Sequence, residues 1–137
     1  MTSKFSIQVH YQKKRKSAHW DLRLLAPNKS YLLSFAIPKK EFPKKGEKVL
    51  AIRTVNHKVS YMYFHGFLHN GDSVEVLDSN DCEIIRWSKE LLIIKFYGKK
   101  INGVFVFIKL KNQKQDNWLI LRSKMPDVQV KKEVSYL

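Results

Sequence analysis

Three polar side chains alternate along residues 19–25 in a pattern that could bind a metal ion and a phosphate together. The segment reads His-Trp-Asp-Leu-Arg-Leu-Leu, and alternate side chains of an extended strand lie on one face, about 6–7 Å apart. His19, Asp21 and Arg23 therefore share a face. An imidazole and a carboxylate at this spacing can bind one divalent ion, and a neighbouring guanidinium can hold a phosphate bound by that ion. The competing interpretation is a solvated strand face, and this pattern alone does not decide between the two.

A second histidine favours the metal interpretation. His10 lies on the polar face of residues 4–11, and Gln8 shares that face. If residues 4–11 and 19–25 pair as a hairpin, His10 comes close to His19. Two imidazoles and the carboxylate of Asp21 would then leave coordination positions open for substrate and water. Such mixed nitrogen and oxygen ligation suits a borderline ion such as Mn²⁺ better than Ca²⁺.

The remaining histidines also lie in the first half of the chain. His57 and Tyr61 have the same parity on a predicted strand over 57–63, so we expect them to share a face. His65 and His69 follow, and His69 immediately precedes an Asn-Gly turn pair, which predicts a surface position. The sequence therefore places the chemistry within residues 1–69.

Strand signals dominate the elements that must position these side chains, and no segment has a sustained helical period. The predicted loops are 12–18 and 38–48, and the predicted strands are 4–11, 19–25, 30–37, 49–56, 58–68, 73–77, 82–87, two within 91–110, and 117–122. Many short strands at this spacing predict an all-β barrel or sandwich. We expect a single domain over residues 1–137, with 125–137 as a polar, frayed tail.

Composition points to an anionic partner. The chain has 26 Lys and Arg against 12 Asp and Glu, which gives a formal net charge of +14. The basic residues cluster at Lys13–Lys16 and between Lys39 and Lys48. A positive field of this kind attracts polyanions such as nucleic acids, although a lysine-rich surface from a biased genome is the alternative. Hydrophobic residues at 44% predict a folded globular chain.

The cysteine content and the N-terminus bear on the compartment. Cys82 is the single cysteine, so no internal disulfide can form, and we expect it to be a small packed hydrophobe. Neither an apolar signal sequence nor a run of about 18 apolar residues is present. These features predict a cytoplasmic protein without a membrane partner.

Several motifs, taken in order, resemble the 3′-phosphoesterase domain of bacterial and archaeal DNA ligase D. The resemblance extends from about Phe5 to Arg122. The motifs are Phe5-x-x-Gln8-x-His10, His19-x-Asp21-x-Arg23, the element Phe35 to Lys40, His57-x-x-x-Tyr61-x-x-Phe64-x-Gly66, a Gly98 to Gly103 hairpin and Trp118 to Leu121.

The resemblance implies a compact antiparallel β-barrel and a Mn²⁺-dependent hydrolase of DNA repair, with Zn²⁺ or Co²⁺ as alternative ions. Its substrates would be nucleic-acid 3′ ends, from which it removes a terminal ribonucleoside and then the 3′-phosphate to leave a 3′-hydroxyl. It would be a free-standing prokaryotic member working beside a DNA ligase or polymerase. The metal ligands would be His10, His19 and Asp21. The phosphate-binding residues would be Gln8, Arg23, Lys39, His57 and Tyr61, and the catalytic group would be His10, His19, Asp21, Arg23, His57 and Tyr61.

Three departures from the family pattern predict a changed substrate preference around an intact metal site. The spacing between His10 and His19 is longer than in the family, and the extra residues include the basic run. The acidic and glycine-rich loops of the family are replaced by 64–66 and 70–72. Val49 stands where the family has an arginine, with Lys48 or Arg53 as its replacement.

Two other functions fit parts of the pattern. One is a non-catalytic barrel that binds single-stranded nucleic acid by charge and by stacking on Trp20, Phe35 and Tyr63; metal chelation would leave its function unchanged. The other is a non-haem iron oxygenase, since His19 and Asp21 with a distant His57 imitate a facial triad. The identity of the bound metal would separate it from a phosphoesterase.

Overall fold

A computed structural model describes residues 1–123, which form nine antiparallel strands and one short 3₁₀ helix. The 3₁₀ helix is Val59–Tyr63, and the strands are β1 (Thr2–Gln12), β2 (Ser17–Leu25), β3 (Leu32–Ile37), β4 (Lys48–His57), β5 (Gly66–Phe67), β6 (Ser73–Trp87), β7 (Leu91–Tyr97), β8 (Asn102–Lys109) and β9 (Asn117–Arg122). No α-helix occurs in these residues, and none of their helical turns is long or apolar enough to cross a membrane.

Eight of the strands close into a barrel. They pair in the order β1-β2-β3-β4-β9-β8-β7-β6, and β1 also pairs with β6, which completes the ring. The short β5 pairs with the start of β6 along the edge opposite β1. Full closure removes unpaired strand edges. The predicted all-β barrel is therefore confirmed, and the sandwich alternative is excluded.

Two predicted strand assignments were wrong. Residues 73–77 and 82–87 belong to one strand, β6, because β1 pairs with residues 78–81 as well and keeps the predicted turn extended. The predicted strand 58–68 is replaced by the 3₁₀ helix and the two-residue β5. The predicted tail 125–137 lies outside the described residues.

The core fills the inside of the barrel with alternate side chains from every long strand. Its largest fully buried members are Trp118, Phe5, Phe35, Phe96, Phe105 and Phe107. Phe42, from the basic loop that follows β3, also packs against this cluster, with its ring 5.1 Å from that of Phe105. Cys82 is buried in the same cluster as predicted, and burial raises the pKa of its thiol to about 12.

The turn between β7 and β8 is closed by a buried carboxylate, which gives a first prediction. Asp78 accepts backbone N–H bonds from Lys99, Lys100 and Ile101 at 3.2, 3.0 and 2.9 Å. A Cβ added at Gly98 would overlap an Asp78 carboxylate oxygen and lie 2.7 Å from Phe5. We therefore expect Gly98→Ala to lower the free energy of unfolding by about 1–3 kcal/mol, the usual cost of overpacking.

Urea unfolding measures this effect. Gly46→Ala is the matched control, because a Cβ at Gly46 meets nothing within 4 Å and only its positive φ of 84° is strained. A Gly98→Ala protein as stable as the parent protein would contradict the prediction.

Candidate metal centre and phosphate site

The pairing of β1 with β2 aligns the predicted ligands. His10 is directly opposite His19, and Gln8 is directly opposite Asp21. The intervening residues, such as Ile7 and Leu22, point into the core. The alternation of the two strands therefore places the polar set on the outer face of the barrel, as the hairpin prediction required.

The three predicted metal ligands form one compact cluster. One ligand atom from each of His10, His19 and Asp21 lies within 4.8 Å of the other two. His10 Nδ1 is 3.4 Å from Asp21 Oδ2, and His19 Nε2 is 3.1 Å from Asp21 Oδ1. Each histidine side chain is 19% exposed, so the cluster opens to solvent. Two imidazole nitrogens and a carboxylate at these distances fit a borderline divalent ion.

Asp72 contacts this cluster and has no counterpart in the sequence patterns. Its Oδ2 accepts a hydrogen bond from His10 Nε2 at 2.9 Å, and its Oδ1 accepts the backbone N–H of Lys13 at 3.0 Å. These two bonds, with that from His10 the stronger influence, lower the pKa of Asp72. The only sequence signal near it is the Asn-Gly pair at residues 70–71, which correctly predicted the turn.

Arg23 lies between the predicted metal ligands and the pair formed by His57 and Tyr61. It is 4% exposed, and its Nε donates to Gln8 Oε1 at 2.9 Å. One terminal nitrogen is 3.5 Å from Asp21 Oδ2, and the other is 3.3 Å from His57 Nδ1. Burial lowers the pKa of Arg23 and the charge of Asp21 opposes that shift, so the guanidinium is a fixed buried cation.

Gln8 fastens the 3₁₀ helix to the barrel. Its side chain is fully buried, and its amide nitrogen donates to the backbone carbonyls of Tyr61 and Phe64, both at 3.0 Å. Its amide oxygen accepts the bond from Arg23. Both amide hydrogens are therefore committed within the protein, which makes Gln8 a link between β1, Arg23 and the 3₁₀ helix.

A bulge in β4 brings His57 to the outer face. Ser34 of β3 is opposite Thr54, but Leu32 is opposite His57, so two residues of β4 face one residue of β3. A regular ladder would have placed Asn56 opposite Leu32. Bulges often redirect a side chain beside a functional site in this way. The shared face of His57 and Tyr61 was predicted from strand parity, but the bulge and the 3₁₀ helix bring the two rings together.

His57 and Tyr61 pack beside Arg23. Their ring centroids are 5.1 Å apart, and the Arg23 guanidinium carbon is 5.1 Å from the Tyr61 centroid. His57 Nδ1 is 2.8 Å from the Val55 carbonyl oxygen and 3.2 Å from Ser34 Oγ. Burial, followed by the charge of Arg23, lowers the pKa of His57, and burial raises the pKa of Tyr61.

The lowered pKa of His57 makes stability depend on pH. Its ordinary value is 6.5, so below that pH the unfolded chain binds a proton at this position more readily than the folded chain. The stabilisation is complete above the unfolded pKa and is lost as the pH falls through the folded one. We expect the Tm of the metal-free protein to fall further than that of His57→Gln between about pH 7.5 and about pH 5.

Differential scanning fluorimetry across this interval measures the effect. Comparison of the two proteins cancels the titration of the other histidines, which both retain. Equal changes of Tm with pH in the two proteins would contradict the prediction.

Lys39 is the one predicted site residue without a described contact to the other site residues. It is exposed, and its Nζ pairs with Glu41 at 3.0 Å. Within residues 1–123, no hydrogen bond or ion pair joins Lys39 to Arg23 or to the proposed metal ligands. Val49, which replaces the family's arginine, is 1% exposed and belongs to the core.

The structure also shows where residues required by the two alternative functions lie. Phe35 is fully buried, so it offers no stacking surface to a nucleobase. The third residue near His19 and Asp21 is His10, whereas His57 lies beside Arg23. The predicted triad of His19, Asp21 and His57 therefore does not form. His10, His19 and Asp21 nevertheless supply two histidines and one carboxylate, so the identity of the bound metal is what separates an iron oxygenase from a phosphoesterase.

The fold and the site together define a closed β-barrel protein with a candidate metal centre and a buried arginine on its outer face. The family model described as the DNA Ligase D 3′-phosphoesterase domain matches residues 8–109. The chain belongs to this family, and its membership indicates an end-processing phosphoesterase in general terms.

Curated relatives agree with this assignment. The chain is 32% identical to the multifunctional non-homologous end joining protein LigD of Mycolicibacterium smegmatis over 136 residues, which cover 88% of this chain and 17% of the relative. It is 27% identical over 128 residues to the LigD proteins of Mycobacterium bovis and Mycobacterium tuberculosis, covering 88% of this chain and 16% of each. The chain therefore spans about one sixth of the length of these relatives.

Proposed function

We propose that this chain is a metal-dependent phosphoesterase that removes a 3′-terminal ribonucleoside and a 3′-phosphate from nucleic-acid ends to leave a 3′-hydroxyl. The observation that carries the proposal is the continuity of the site. Asp21 belongs to the metal cluster and also contacts Arg23. One phosphate could therefore contact a bound ion and the Arg23 guanidinium at the same time. Membership of the 3′-phosphoesterase family supports the same chemistry.

His10, His19 and Asp21 would hold the ion, for which we propose Mn²⁺, with Zn²⁺ or Co²⁺ as alternatives. Its contribution when bound would be positive charge next to the phosphate oxygens. The protein contributes the fixed positions of the three ligands, since the ladder between β1 and β2 sets their spacing. Little rearrangement is then needed when the substrate binds.

Arg23 would bind the phosphate beside the ion. A guanidinium has five N–H donors, and Arg23 commits Nε to Gln8 while its two terminal nitrogens contact His57 and Asp21. Each terminal nitrogen thus retains an N–H for a phosphate oxygen. Because Gln8 and Asp21 fix the orientation of the guanidinium, its charge would already be aligned with the transition state.

Each hydrolysis exchanges one phosphorus–oxygen bond for another. Water forms a bond to phosphorus while the bond to the leaving oxygen breaks, and that oxygen takes up a proton. The leaving oxygen is the 5′ oxygen of the ribonucleoside in the first reaction and the 3′ oxygen of the remaining strand in the second. We assign His57 as the proton donor, because its ring lies beside the Arg23 guanidinium proposed to hold the phosphate, with Tyr61 steadying the ring.

The nucleic-acid strand would be attracted by the basic loop between β1 and β2. Lys13, Lys14, Arg15 and Lys16 are all exposed, and the described part of the chain pairs none of them with a carboxylate within 4 Å. The loop begins three residues after His10 in the sequence. Four exposed cations at this position would neutralise phosphates next to the reacting end. Because the curated relatives are multifunctional end joining proteins, we propose that the chain acts beside a DNA ligase or polymerase.

Cleavage of 5′-labelled oligonucleotides tests the proposal. One substrate ends in a 3′-phosphate, another in a 3′-ribonucleotide, and each is incubated with Mn²⁺ or with EDTA. We expect the products to end in a 3′-hydroxyl only in the presence of the ion. Binding without cleavage under both conditions would support the non-catalytic barrel instead.

A further inference from the structure

We propose that Asp72 is a positioning residue of the metal centre, which holds His10 with Nε2 protonated and Nδ1 directed towards Asp21. The inference rests on the proposed binding of a divalent ion by His10, His19 and Asp21. The sequence patterns assign no role to Asp72, and it lies 62 residues from His10 along the chain.

The contacts of the imidazole determine which nitrogen can bind metal. A carboxylate accepts hydrogen bonds, so the 2.9 Å contact between Asp72 Oδ2 and His10 Nε2 places the proton on Nε2. In a neutral imidazole the lone pair then lies on Nδ1, which is 3.4 Å from Asp21 Oδ2. Histidines that bind metals usually donate their other N–H to a carboxylate or carbonyl, which fixes the ring and raises its basicity.

Asp72 is itself held in place by the turn that precedes it. Its backbone N–H donates to Asn70 Oδ1 at 3.0 Å, and its carbonyl accepts the N–H of Leu68 at 2.8 Å. Gly71 supplies the positive φ of 87° that this turn requires. With its side chain only 9% exposed, the carboxylate is fixed before any ion arrives.

The second oxygen of Asp72 ties the basic loop to the same ligand. Oδ1 accepts the N–H of Lys13, the residue that directly follows β1. The aliphatic part of the Lys13 side chain also packs over Gly71, where an added Cβ would lie 2.8 Å from Lys13 Cδ. One carboxylate therefore fixes a metal ligand and the start of the loop proposed to bind nucleic acid.

Asp78 provides a matched comparison for a purely structural carboxylate. Counted over the whole residue, both aspartates are 6% exposed, and both accept backbone N–H bonds. Asp78 makes its bonds to the turn between β7 and β8 and contacts none of the proposed metal ligands. A structural role for Asp72 would lower Tm when it is removed but would leave the metal affinity of the folded protein unchanged.

Titration with Mn²⁺ separates a structural role of Asp72 from a positioning role. The free ion is measured by its electron paramagnetic resonance signal. We expect Asp72→Ala to raise the Kd for Mn²⁺ by about 10–100-fold, as removal of such a supporting partner does in other metal sites. Asp78→Asn should lower Tm and leave this Kd unchanged. An unchanged Kd in folded Asp72→Ala protein would overturn the proposal.

Imidazole ¹⁵N shifts of the metal-free protein give a second readout that does not depend on activity. We expect His10 to be a single Nε2–H tautomer in the parent chain and a mixture of tautomers in Asp72→Ala. If Asp72→Ala does not fold, the isosteric Asp72→Asn replaces it, because His10 and Lys13 bond different carboxylate oxygens and the amide NH2 that replaces one of them cannot accept a hydrogen bond. Either the His10 tautomer or the hydrogen exchange of the Lys13 amide must then change, and constancy of both overturns the proposal. Failure of the parent chain to bind Mn²⁺ would instead refute the proposed metal site.

Discussion

Replacement of His19 by alanine is expected to reduce Mn²⁺-dependent release of 3′-phosphate by about 10²–10³-fold, the size of effect that follows loss of one strong transition-state interaction. His19 supplies one of only three side-chain ligands in the cluster, and its Nε2 lies 3.1 Å from Asp21 Oδ1. Without it, one nitrogen and one carboxylate would have to hold the ion. The measurement is initial velocity on an end-labelled oligonucleotide at saturating substrate.

His69→Ala is the matched control for this variant. His69 is exposed in the turn before Asp72, and no hydrogen bond or ion pair of its side chain appears among the contacts described for residues 1–123. We expect the control to retain the parent activity. Full activity of His19→Ala under the same conditions would refute both the metal centre and the enzymatic proposal.

The second large effect is expected at Arg23. Arg23→Lys keeps the positive charge but cannot contact Gln8, Asp21 and His57 together, because an ammonium group carries all its donors on one nitrogen whereas these contacts use three. We expect kcat/KM to fall by about 10²–10³-fold, since the phosphate loses a pre-aligned charge. We also expect Tm to fall, since the buried Gln8 oxygen and the Asp21 carboxylate lose their partner.

Steady-state kinetics and thermal unfolding of the same preparation test this prediction. Arg86→Lys is the control, since Arg86 is a half-buried arginine of β6 outside the site. A lysine at residue 23 that preserves kcat/KM would show that charge alone is sufficient there. Arg23 would then have no role in orienting the phosphate.

The hairpin carrying the proposed metal ligands was predictable because it depends on local patterns. Alternation along 4–11 and 19–25 fixed which side chains face outward, and the core residues between them fixed the register. A slip of one residue in β2 would turn Leu22 out of the core and His19 and Asp21 towards it. The hairpin of β7 and β8 was also predicted correctly, from two runs of β-branched and aromatic residues with Gly98 and the pair Asn102-Gly103 between them.

The parts that sequence patterns missed depend on long-range contacts. Residues 58–68 contain enough apolar and aromatic side chains to resemble a strand, but the buried Gln8 amide holds the Tyr61 and Phe64 carbonyls in a helical turn. Periodicity carries no information about a partner so far away along the chain. For the same reason it could not reveal that Asp72 supports His10, or that a bulge turns His57 outward.

The longer connection between the first two strands has an evolutionary and practical consequence. Residues 14–16 lie beyond the paired residues His10 and His19. The backbone N–H of Lys13 donates to Asp72, which holds the start of this loop in place. The number and charge of residues 14–16 can therefore vary without altering the strand register that sets the coordination geometry. This stretch is a site where sequences could be exchanged to change the preference for one nucleic acid over another, while the hairpin proposed to bind the ion remains a constant scaffold.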